Sequence, residues 1–396
     1  MRISKRNGRH AVNVYLDHGR IQRMRTAHGL TQAELAERLN LPASAFSRML
    51  SGHLPIDDAD AQRLADALAC NVCLLNRPTP DLLHTRPWLR AYADAPKKTV
   101  EQYVADTLLA LESFEDVRLK RLPERLPAFT GDINDDYEIE EFAAEVREAA
   151  DVPPGQAVPN ATRAAERLGC LVLPMDNELG KHLGMSLFVN GIPVIRVSRP
   201  SADGGIPGDR QRFTLCHELG HVTLHASCPP PETADQAKAI EKQAHRFAGA
   251  FLLPGDAFLA DLDELGGRVT LATLARLKER WGVAVKAMVV RLQQLHRIDM
   301  DQARSLYKQI SARGWNKDEP VEVGNERAIW LIKALLQRFP GDDPNAQAAD
   351  RVGLDRSYFD DWSNWDPNAD ATVIQFRQKA DSRGSRSGIS RNATPL

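Results

Sequence analysis

The run His217-Glu218-Leu219-Gly220-His221 restricts the fold of this 396-residue chain more than any other stretch. Histidines four residues apart come close enough to share one ion on a helix, whereas on a strand they share a face but lie about 13 Å apart. Arg210 to Ala226 run without proline up to Pro229, with Asp209 placed as N-cap, so the motif is read as helical. Phe213, Leu215, Val222 and Leu224 give that helix enough apolar surface to be deeply buried. On it, His217 and His221 can hold one metal ion at about 2.0 to 2.1 Å. Glu218 lies beside them, placed to take a proton from a water and hand it to a leaving amine. Gly220 leaves room for close approach of a neighbouring backbone.

A catalytic zinc site needs a third protein ligand and an open fourth position. A second helix, from about Glu232 to Leu253, offers Glu241, with His245 one turn on as a rival. Glu241 is favoured because two histidines and one glutamate form a standard catalytic zinc set. Ala244 is small enough for the two helices to pack closely. His225 is a further four residues along, but three histidines on one straight helix span about 12 Å and cannot share an ion. His225 therefore either polarises a substrate carbonyl or caps the helix end. Cys216, next to the first histidine, is read as a buried, inert thiol rather than a redox sensor or competing ligand.

Ahead of this pair, Leu171-Val172-Leu173 reads as a short strand. Ser186 to Val189, Asn190-Gly191 and Ile192 to Val197 read as a hairpin with a type I′ turn. Pro193 lacks a ladder donor and suggests an edge strand, beside which an extended peptide could add.

Residues 14 to 76 are dense in short amphipathic helices. Thr31 and Glu34 form a capping box, Asn40 suits a left-handed turn residue, and Pro42 suits the start of the next helix. The run Leu30 to Gly52 resembles, without gaps, the helix-turn-helix of the phage-repressor (Xre) type. That resemblance implies that the helix from Ala43 to Leu50 lies in the major groove of double-stranded DNA. Gln32 would then lie near the phosphates or a base edge, with Ala43, Ser44, Ser47 and Arg48 as readers. Asn13 to Asn76 carries more acids than arginines, so the basic arm of Arg2, Lys5, Arg6 and Arg9 would supply the missing charge for the phosphates.

Residues 155 to 300 resemble the ImmA/IrrE family of metallopeptidases. The likeness rests on Gly208 to His221, on Glu241 to Pro254 ending Phe251-Leu252-Leu253-Pro254, and on the stretch Leu306 to Trp315 further on. It implies a zinc-dependent endopeptidase (Zn2+ on His217, His221 and Glu241, with Glu218 as base) that cleaves a repressor protein and relieves repression in stress responses or mobile-element control. An Xre-type domain ahead of such a peptidase recurs in that family, and analogy with Xre domains implies a homodimer. The alternative is a transcription regulator or antitoxin that uses an idle peptidase fold as a sensing platform. An idle domain has no reason to keep Glu218, which favours an enzyme.

These readings assemble into an α+β, mostly helical chain. Residues 1–12 are a basic arm, 13–76 a five-helix helix-turn-helix bundle, and 77–152 a helical linker with an acidic stretch. Residues 153–300 form the zincin-like domain with a small antiparallel or mixed sheet. A helical accessory region docked on that domain spans 301–370, in which the stretch from Trp315 to Trp365 holds one clear helix, Asn325 to Phe339. Residues 371–396 are a disordered basic tail. The net charge of −2 hides acidic residues concentrated between Asp132 and Asp151, read as a solvated helix face. Leu271 to Trp281 and Val285 to Leu292 carry apolar residues at helical spacing, explained by core packing. Five cysteines at irregular spacing argue against a disulfide framework and for a reducing cytoplasm. No apolar run is long enough for a membrane span or signal peptide.

Overall fold

The computed structural model describes residues 16–51, 53, 56–88, 96–176, 183–199, 206–365 and 376–378. The basic arm and all of the tail but its three strand residues lie outside them.

Five short helices open the chain: α1 (His18–Ala27), α2 (Gln32–Arg38), α3 (Ala43–Leu50), α4 (Asp58–Ala67) and α5 (Val72–Leu75). Ile21, Met24, Leu35, Phe46 and Leu64 are buried between them. The Thr31 hydroxyl accepts from Glu34 N while the Glu34 carboxylate accepts from Thr31 N, closing the capping box. Asn40 takes φ 54° at the sharp turn before α3.

Next come α6 (Lys97–Asp116), α7 (Asp136–Ala149), α8 (Ala161–Leu168), and strands β1 (Leu171–Met175), β2 (Gly184–Val189) and β3 (Ile192–Ser198). The sheet order is β1-β3-β2, with β3 parallel to β1 and antiparallel to β2. Asn190 and Gly191 both have positive φ, as the hairpin turn requires. Strand β3 is thus central, not an edge. Pro193 pairs with Phe188 on one side and lies just outside the register with β1, which starts at Val194, so no ladder bond misses its N–H.

Alternation along the strands divides the interior in two. Val172, Ile195 and Val197 face a core built with α9 (Gly208–Leu224) and α10 (Ala234–Leu252). Leu171, Leu173, Met185, Leu187 and Val194 face a second core, shared with α6 and the N-terminal bundle. Helix α7, read as a linker face, contributes Ile139, Phe142, Ala143 and Val146 to the first core. Its Glu140 pairs with buried Arg291, so only part of its acidic face is solvated.

Helices α11 (Gly255–Glu264), α12 (Leu271–Trp281), α13 (Val285–Gln294) and α14 (Met300–Ala312) complete the central domain. They are followed by β4 (Val321–Val323), α15 (Trp330–Arg338), α16 (Pro344–Val352), α17 (Arg356–Ser363) and β5 (Phe376–Gln378), which pairs antiparallel with β4. Backbone ladders ask little of composition, so this strand was not visible in a stretch read as tail. Nor does the region after α14 dock as one unit on the central domain. Glu326 is buried against α9, whereas Tyr358 bonds His28 and the Leu68 carbonyl in the N-terminal bundle. Trp362 donates to Asp106 on α6. No helix among the described residues is long and apolar enough to cross a membrane.

Candidate metal centre

Helix α9 starts at Gly208 with Pro207 as N-cap. Asp209 lies inside the first turn instead, buried against the Lys278 ammonium at 2.5 Å. Glu319 accepts from the same ammonium, which offsets the cost of burying that charge. The helix ends at Leu224, and His225 is its C-cap, with its N–H on the His221 carbonyl.

Gly220 meets α10 at Ala244, and a Cβ there would lie 3.1 Å from the Ala244 carbonyl oxygen and from Phe247 Cδ1. That close crossing brings Glu241, one turn before Ala244, to the two histidines. His217 Nε2 and His221 Nε2 are 3.2 Å apart. Glu241 Oε2 lies 3.2 Å from His217 Nε2, and Oε1 lies 3.4 Å from His221 Nε2. Ligand atoms about 2.0 to 2.1 Å from one tetrahedral ion are separated by about 3.3 Å, close to the histidine pair and to the distance from each histidine to its nearer Glu241 oxygen. Oε2 of Glu241 is buried without an aligned donor, as an oxygen awaiting a cation would be. His221 is buried, whereas the His217 and Glu241 side chains keep 13% and 15% exposure, so the group opens on one side. His245 is not in the group: its ring packs on Phe213 and is 6.4 Å from that of His217.

Behind the group lies a relay. His221 Nδ1 is 3.1 Å from His225 Nδ1, and His225 Nε2 is 3.1 Å from Gln243 Oε1. An amide oxygen only accepts, so His225 carries its hydrogen on Nε2 and accepts at Nδ1. His221 then donates from Nδ1 and keeps its Nε2 lone pair toward Glu241 and His217. Burial lowers the pKa of His221 to about 4 and that of His225 to about 3, so both are neutral near pH 7. His225 is fully buried behind His221, away from the cleft where a carbonyl-polarising group would stand.

Glu218 points toward the sheet, where Ser186 Oγ on β2 donates to its Oε2 at 2.7 Å. Burial raises its pKa to about 7, against the opposing pull of the His217 charge and the Ser186 hydrogen bond. The buried Cys216 thiol is pushed well up by desolvation and is not a ready nucleophile or ligand. The open side leads into a cavity of about 1060 Å³ lined by His217, Glu241, Lys238, Lys242 and, opposite, Trp88.

Ser186, Gln243 and Trp88 had no counterpart in the sequence reading. Gln243 lies two residues past Glu241 and Ser186 alternates on an apolar strand, so a hint existed for each only once the ligands were known. Trp88 gave no local signal. On the N-terminal bundle, Gln32, Ala43, Ser44, Ser47 and Arg48 are all exposed, opposite buried Phe46 and Met49.

A helix carrying paired histidines thus packs beside a glutamate-bearing helix in a chain whose N-terminal helices have the helix-turn-helix arrangement. Residues 165–293 match the IrrE N-terminal-like domain family (peptidase M78), and residues 19–77 match a helix-turn-helix domain family. The pairing is that of the ImmA/IrrE architecture with a helix-turn-helix domain. No curated protein and no solved structure matches the chain. The two domains fit a DNA-binding regulatory protein, and peptidases of this family typically use zinc.

Proposed function

We propose that this chain is a zinc-dependent endopeptidase that cuts a transcriptional repressor or similar regulatory protein, held near DNA by its N-terminal bundle. The observation that carries the reading is the convergence of His217 Nε2, His221 Nε2 and the Glu241 carboxylate beside Glu218, a buried carboxyl held by Ser186. Zinc supplies Lewis acidity when bound. His221 offers its Nε2 because the Gln243–His225 relay keeps the hydrogen on Nδ1. Glu218 takes the proton of an attacking water at Oε1 and releases it to the leaving amine nitrogen, while Ser186 holds Oε2 in place. A carboxyl raised to about 7 accepts and gives up a proton at similar cost near neutral pH.

Residues 16–76 form the DNA-binding part of this reading, and residues 139 to 310, whose helices pack with one face of the sheet in the first core, form the peptidase. Gln32, Ala43, Ser44, Ser47 and Arg48 meet double-stranded DNA, as a cytoplasmic homodimer on a two-fold site, in the service of a stress response or mobile-element control. A regulator with an idle site is the competing reading, and the base separates the two. The test compares the native chain with Glu218→Gln for zinc content and for cleavage of repressors encoded nearby. Zinc in both and cleavage by the native chain alone is the expected result; equal behaviour, or a native chain without metal, would overturn the reading.

A further inference from the structure

Strand β2 is the outer strand of the sheet on the side of the metal centre, and its edge is already taken by residues 83–88 of this chain. Thr85 N donates to the Phe188 carbonyl at 3.0 Å, Trp88 N to the Ser186 carbonyl at 2.8 Å, and Asn190 N to the Leu83 carbonyl at 2.8 Å. His84 and Trp88 bridge Val189 and Ser186 in the antiparallel sense. The Thr85 hydroxyl also accepts from Phe188 N at 2.9 Å. At its end the Trp88 indole lies parallel to the His221 ring, 5.8 Å between centroids, and next to His225.

We propose that residues 83–88 are an intramolecular pseudosubstrate: they hold the peptide-binding edge of β2 and must leave it before an extended segment of another protein can lie there. This inference rests on the peptidase reading and adds how that site is regulated. An edge strand presents one row of carbonyls and N–H groups, and a second peptide needs the same row that Leu83, Thr85 and Trp88 now use. The first part of the strap is laid on the surface: Leu83, His84, Thr85 and Arg86 are exposed, Leu83 by 75%, and burial begins only at Pro87 and Trp88. The Trp88 indole Nε1 is buried without a partner, which a permanent wall would be expected to satisfy. Few buried contacts and an unfinished polar fit describe a segment from the low-stability end of a structure.

The root of the strap is held by the DNA-binding bundle. Arg20 and Arg23 of α1 donate to the carbonyls of Pro78 and Pro80, and Thr79 donates to Asp17 at the start of α1. A displacement of α1 therefore acts on the strap directly.

The experiment uses the full zinc-loaded chain and a fluorescein-labelled synthetic peptide with the sequence of residues 81–88. Binding is followed by anisotropy to the native chain, to Thr85→Pro, which removes one ladder donor and the hydroxyl acceptor, and to Trp88→Ala, which removes the ring over His221. Both variants are expected to bind the peptide at least ten-fold more tightly than the native chain. In the native chain, excess unlabelled peptide is expected to speed amide exchange within residues 83–88, read by mass. Equal binding by all three chains, or no binding by variants that keep native circular dichroism, would overturn the proposal and make the strap a fixed wall. Zinc content is read separately. A chain that never holds zinc defeats the peptidase reading, while the peptide still reports who holds the edge.

Discussion

Arg212 on α9 and Glu326, which follows β4, are 114 residues apart in the chain and form an ion pair in the interior, both side chains almost wholly excluded from water. Glu326 also accepts from Thr162 N at 2.7 Å, and its own N–H donates to Gln211 at 2.7 Å. The pair ties the chain beyond α14 to the helix that carries His217 and His221. Glu326→Ala leaves a buried guanidinium uncompensated and is expected to cost about 3 to 5 kcal/mol. Replacing both partners by Met and Leu should restore most of that loss. Denaturant unfolding of the single and double variants checks this; a double variant no more stable than the single one would contradict the desolvation argument.

Gly220 sits where α9 and α10 cross. A methyl group there would press on the Ala244 backbone and Phe247 with nothing flexible on the backbone side to give way. Gly220→Ala is expected to lose about 1 to 3 kcal/mol, despite the better helix propensity of alanine. Because Glu241 rides on the displaced helix, zinc affinity should fall by about ten-fold or more. Competition with a chelating dye measures the second effect independently of the first.

The relay histidine makes a pH prediction. Burial holds the folded pKa of His225 near 3, below its ordinary 6.5, so the unfolded chain binds a proton that the folded chain refuses. The stabilisation is therefore complete above pH 6.5 and is lost as the pH falls toward 3. His221 acts in the same direction. Glu218 acts against them, since its raised pKa lets the folded chain take a proton between about 4.5 and 7. The difference between chains isolates one group: in the metal-free protein, His225→Gln should gain roughly 2 kcal/mol relative to the native chain on going from pH 7 to pH 5. Urea midpoints at the two pH values test it, and a constant difference would mean that His225 is not held neutral.

Arg48 projects from the exposed face of α3. On the DNA-binding reading, Arg48→Ala should weaken binding to a selected duplex by about 1 to 3 kcal/mol if it reads a base. If it meets only a phosphate, the loss should be uniform across sequences and the salt dependence should fall by about one ion. Arg63→Ala, on α4 and paired with Asp60, is the control and should change neither. Anisotropy titrations at several salt concentrations distinguish these outcomes.

Local signals in the chain were enough to place the helix that carries His217, Glu218 and His221, the hairpin turn at Asn190-Gly191 and the capping box at Thr31. Each depends on residues within a few positions of one another, so periodicity and turn chemistry carry the information. Helix α10 and the choice between Glu241 and His245 lie one step further out. Ligand chemistry favoured the glutamate, and the crossing at Gly220 and Ala244 brings it to the histidines. The remaining features depend on contacts between distant segments: β3 in the middle of the sheet, α7 in the core, Glu326 beneath α9, and Trp88 against His221. No pattern along the chain encodes which segment lies on the β2 edge, because backbone ladder bonds are nearly blind to side-chain type. That assignment is made by packing, because the N-terminal bundle lies on one face of the sheet and residues 83–88 follow it in the chain along the β2 edge.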